Sequence, residues 1–75
     1  MIFIKSSAEK ELEKILYEMK QYLQNNYKEP AHRQRELLCK RVEELYLQKK
    51  ISEKVYSKYS RIYNEYTIML KDYHH

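Results

Sequence analysis

Residues 44–66 read ELYLQKKISEKVYSKYSRIYNEY, and this stretch decides the fold. Lys49, Lys50 and Ile51 break one amphipathic pattern before another begins. Ser52 is a good N-cap, and Ile51 with Tyr56 has the N′ to N4 spacing of a hydrophobic staple. So tight a connection joins antiparallel neighbours. Beyond it Val55, Tyr59, Ile62, Tyr66, Met69 and Tyr73 step by four, three, four, three and four, while Tyr56, Tyr63 and Leu70 run alongside at sevens. The result is a coiled-coil-like seam, under three heptads long.

Working back from the break, Leu37, Leu38, Val42, Leu45 and Tyr46, with Cys39 beside them, predict a helix from about Pro30 to Lys49. Pro30 suits its first turn, where a missing N–H would have been unpaired anyway. Glu36 and Lys40 add a favourable i, i+4 pair on its surface. Its front (His32, Arg33, Gln34, Arg35) has little to bury. Further back, Leu12, Ile15, Leu16, Met19, Tyr22 and Leu23 mark an amphipathic helix that starts near Ser7. Ser6 and Glu9 have capping-box spacing, and Asn25 and Asn26 form the stop. Met1 to Ile4 is apolar without a period, which suits a short extended arm or a plug over one end of a bundle.

The expected fold is therefore all-α: a single domain over residues 1–75 with helices at about 7–25, 30–49 and 53–73, arranged as a three-helix up-down bundle. The rival arrangement is a dimer in which the hairpin of the second and third helices pairs with a copy of itself.

Composition excludes several classes of function. One Cys cannot build a disulfide framework or a two-Cys zinc motif. With no Gly there is no Walker A loop and no dinucleotide fingerprint, since both need backbone without a Cβ close to phosphate. No run approaches the length of a membrane span, so a cytoplasmic protein with no membrane partner is expected. No cofactor and no small-molecule substrate are implied. The hairpin pattern is of a kind common in small bacterial regulatory and accessory proteins, without a motif specific to one family.

The nine tyrosines are the compositional oddity. Tyr56, Tyr59, Tyr63, Tyr66 and Tyr73 share one broad face of the third helix. Tyrosine at helical spacing usually packs in a core with its hydroxyl at the rim, and it is also a favoured interface residue. The candidate interaction residues are Tyr56, Tyr59, Tyr63 and Tyr66 with Leu12, Ile15 and Met19, all of which are core candidates too. The leading expectation is a non-enzymatic protein interaction or regulatory module whose partner is another protein or a second copy.

The alternative is a nucleic-acid-associated regulator. The net charge is +4, and residues 27–50 carry seven Lys/Arg against four Glu. Arg33, Arg35, Lys40, Arg41, Lys54, Lys58 and Arg61 would then contact phosphates. Interspersed Glu36, Glu43, Glu44, Glu53 and Glu65 fit an ordinary solvated face equally well. Catalysis is not expected. His32 lies two turns from Cys39, about 10 Å along a helix, and no nucleophile, base and oxyanion donor converge. No metal site is implied by His32, Cys39, His74 and His75, which do not converge on one point.

Overall fold

The computed structural model describes residues 6–71. Three helices follow in order: α1 (Ser7–Gln24), α2 (Lys28–Leu47) and α3 (Glu53–Lys71). Side-chain caps start α1 and α3. The Ser6 hydroxyl accepts the Glu9 N–H at 3.2 Å to cap α1, and the Ser52 hydroxyl accepts the Val55 N–H at 3.2 Å to cap α3.

Both connections are Schellman turns. After α1, Asn26 takes φ 62°, its N–H reaches the Leu23 carbonyl, and the Tyr27 N–H reaches Tyr22 O at 2.8 Å. The Tyr22 and Tyr27 rings lie 6.4 Å apart and supply the apolar contact that accompanies this turn. After α2, Lys49 takes φ 60° and the same pair of bonds runs from Lys49 to Tyr46 and from Lys50 to Leu45. These turns explain how the helix limits differ from the spacing-based expectation. The α1 turn closes early enough for α2 to begin at Lys28, so Pro30 occupies the third helical position, still inside the turn whose N–H groups need no partner. The left-handed Lys49 ends α2 at Leu47 rather than Lys49. The expected last two residues of α3, together with Met1 to Ile4, lie outside the described residues.

A Lys in the left-handed region bears a steric cost that Gly does not. Lys49→Gly should therefore raise stability by about 0.5–1 kcal/mol, read as a higher midpoint in urea unfolding with an unchanged slope. A lower midpoint would show that the Lys49 side chain stabilises the turn by more than its backbone costs.

Polar pairs fix the register. Glu11 meets Arg41 and Glu18 meets Gln34, so α1 and α2 are antiparallel. Arg35 meets Thr67 and Glu43 meets Tyr56, so α2 and α3 are antiparallel and α1 runs parallel to α3. The core joins Ala8, Leu12, Ile15 and Met19 to Leu38, Val42 and Leu45, closed by Ile51 and Tyr59. Burying each of these large side chains contributes on the order of 1.5–3 kcal/mol. Ile51 and Tyr56 join the same cluster, as the staple spacing predicts. Leu37 does not join it and is 41% exposed. The chain is thus a three-helix up-down bundle in which α2 packs along both neighbours while α1 and α3 approach each other least.

Candidate interaction groove

Among the described residues, the side of the bundle between α1 and α3 is open. Tyr59 and Tyr66 of α3 stand with side chains of α1 along the gap between the two helices. Two adjoining depressions follow the gap. One is lined by Glu13, Leu16, Tyr17 and Lys20 of α1 with Lys58 and Tyr59 of α3. The other is lined by Lys20, Leu23 and Gln24 with Tyr66 and Met69. The floor is apolar and the walls carry charge. At the rim Tyr17 is 63% and Met69 47% exposed, large side chains only partly covered by the described residues. The Lys58 ammonium lies 5.4 Å from the centre of the Tyr59 ring and shields its outer edge.

No protein-family model, curated protein or solved structure matches the chain. What it can do is carried by the placement of its own side chains.

The interaction residues expected from the sequence fall into three groups. Leu12, Ile15, Met19 and Tyr59 are buried in the core. Tyr56 and Tyr63 are half-buried on the opposite flank of α3, toward α2, where both phenols donate to the same oxygen of Glu43, at 2.8 and 3.4 Å. That carboxylate holds the Tyr56 phenol above the ordinary range by disfavouring a second negative charge, with burial adding to the effect. The Tyr56 ring also stacks on Tyr46 with centroids 4.2 Å apart. Tyr66 lines the second depression, as the buried Tyr59 lines the first, and desolvation raises the Tyr66 phenol, with Glu65 adding repulsion. Sequence spacing did not single out Lys20, Leu23, Tyr17 or Met69 as site residues. Their signal lies in the heptad spacing of the charges around them, Glu13 and Lys20 on α1 and Lys58 and Glu65 on α3.

The basic residues divide between flanks. Arg41 binds both oxygens of Glu11 through Nε and Nη2, the latter at 2.9 Å, and donates Nη1 to Glu44 Oε1 at 2.8 Å. This clasp ties α1 to α2, pulls the Glu11 carboxyl below the usual carboxylate range and raises Arg41 further. Arg35 turns the other way and donates to Thr67 Oγ1 on α3 at 3.1 Å. Arg33 and Lys40 are exposed on α2, and Lys54, Lys58 and Arg61 are exposed on α3. Arg35 and Arg41 therefore point to opposite sides of α2, and the seven cations do not form one continuous stripe. Cys39 is half-buried beside the Tyr63 phenol. Among the described residues no group of three His, Cys, Asp or Glu side chains is placed to hold a metal ion, and no helix is long and apolar enough to cross a membrane.

Proposed function

We propose that the protein is a non-enzymatic interaction module that docks a helical partner surface in the groove between α1 and α3. The observation that carries this reading is the open edge itself: an apolar floor of Leu16, Leu23, Tyr59 and Tyr66 between the two helices. A partner helix laid there would bury Tyr17 and Met69 in the way helix-in-groove recognition uses anchors at three- and four-residue spacing. The clasp and the two capped connections keep the groove preformed, which lowers the ordering cost of binding.

A phosphate-binding role would draw on Arg33, Lys40, Lys54, Lys58 and Arg61. It is supported less well, because Arg41 already holds two carboxylates and Arg35 faces α3. The test is photo-crosslinking in producing cells, with p-benzoylphenylalanine at position 69 in the groove or at position 33 on the outer face of α2. Polypeptide adducts, identified by mass spectrometry, should form from position 69 and not from position 33. No adduct from position 69, or equal yields from both positions, would remove the reading.

A further inference from the structure

The walls of the groove carry a charge pattern that belongs to a particular kind of occupant. On α1, Glu13 and Lys20 are seven residues apart and line the groove together. On α3, Lys58 and Glu65 are also seven residues apart, which places them on one flank of that helix, with the signs in reverse order. The two helices run parallel. Glu13 shares the first depression with Lys58, and Lys20 shares the second with Tyr66, whose phenol is near enough to Glu65 to feel its charge. The walls therefore show minus over plus on one side and plus over minus on the other, flanking an apolar strip.

These four heptad-spaced charges are two of each sign, so by themselves they favour neither an acidic nor a basic partner. Their arrangement does satisfy the requirement of a two-fold interface, in which one patch must complement itself. Resting on the docking reading above, we infer that the groove takes a second copy of this chain, the Tyr17, Leu23, Tyr66 and Met69 strips packing together and the four heptad-spaced charges setting the register. If the copies meet antiparallel, Glu13 faces Lys20 of the partner subunit and Lys58 faces Glu65 of the partner subunit. If they meet parallel, Glu13 faces Lys58 of the partner subunit and Lys20 faces Glu65 of the partner subunit. Opposite signs meet in both cases, as charges flanking a coiled-coil seam do when they specify pairing. A like-charged or shifted register loses all four pairs at once.

Sedimentation equilibrium over a concentration range, on the wild type and three variants, tests this. The wild type should be a dimer, weaker at high salt but not abolished, since the apolar strip is insensitive to screening. Lys20→Glu turns two attractive contacts per dimer into repulsive ones and should weaken association by about tenfold or more. One of two second changes should restore it: Glu13→Lys if α1 faces α1 of the partner subunit, or Glu65→Lys if α1 faces α3. These side chains lie at the surface, and an unchanged far-ultraviolet circular dichroism spectrum will show that the variants fold. A monomeric wild type, a dimer indifferent to Lys20→Glu, or failure of both second changes would overturn the inference. A monomer whose position 69 still crosslinks to other polypeptides would overturn self-association and leave the docking reading standing, whereas absence of both signals would remove both.

Discussion

Tyr59→Asp will leave the chain without a cooperative thermal transition, whereas Tyr59→Phe will melt within a few degrees of the wild type. Tyr59 is 2% exposed and belongs to the cluster that joins all three helices. Losing a large buried ring costs about 3–5 kcal/mol when alanine replaces it. An aspartate adds an unpaired charge among Leu12, Val42 and Leu45, or the work of keeping it protonated, for several kcal/mol more. A 75-residue domain has only about 4–11 kcal/mol to lose. Phenylalanine keeps the ring and gives up a phenol whose acidity is shaped by burial and by Glu9 rather than by a hydrogen bond. Thermal melts followed by far-ultraviolet circular dichroism decide the matter. A cooperative melt for Tyr59→Asp would mean that the three helices close without this ring and that the groove floor is not set by it.

The fold was legible in the sequence because its determinants are local. Ser6 and Ser52 announce helix starts, the step pattern of α3 announces its buried stripe, and two short connections leave few ways to arrange three helices. The helix limits were less legible, because a Schellman turn at Lys49 uses a residue with no preference for the left-handed region and spacing alone cannot locate it. The candidate site was legible only in part. A stripe of five tyrosines on one helix looks uniform in sequence, but three helices give α3 two different flanks. Tyr56 and Tyr63 turn toward Glu43 of α2, Tyr59 goes inward to floor the first depression, and Tyr66 lines the second. Which flank a residue joins depends on the angle at which α1 and α3 are held apart. That angle is a property of packed side chains rather than of spacing.

The same tyrosines make the fold sensitive to base. In the unfolded chain a phenol ionises near pH 10. In the folded chain Tyr59, Tyr63 and Tyr66 are pushed above that value chiefly by burial, and Tyr56 chiefly by its hydrogen bond to the Glu43 carboxylate. All four shifts have the same sign. The folded state therefore keeps protons that the unfolded state has released, so the stability they contribute is fully present below about pH 10 and is lost as pH rises through the folded values. Each group that stays protonated while its unfolded counterpart ionises adds to the fall of stability with rising pH. Urea midpoints should accordingly be flat from neutral pH to about pH 9 and fall steeply beyond about pH 10. Tyrosinate absorbance should go on rising above about pH 10, its last rise from the shifted group accompanying loss of helical signal. Tyr59→Phe removes the most buried of the four and should flatten the alkaline fall by about one group's slope while leaving the neutral-pH midpoint nearly unchanged. A single absorbance phase near pH 10 with helical signal intact would mean that water reaches these rings in the folded chain and that the gap between α1 and α3 is wet throughout its depth, which would remove the apolar floor on which docking depends.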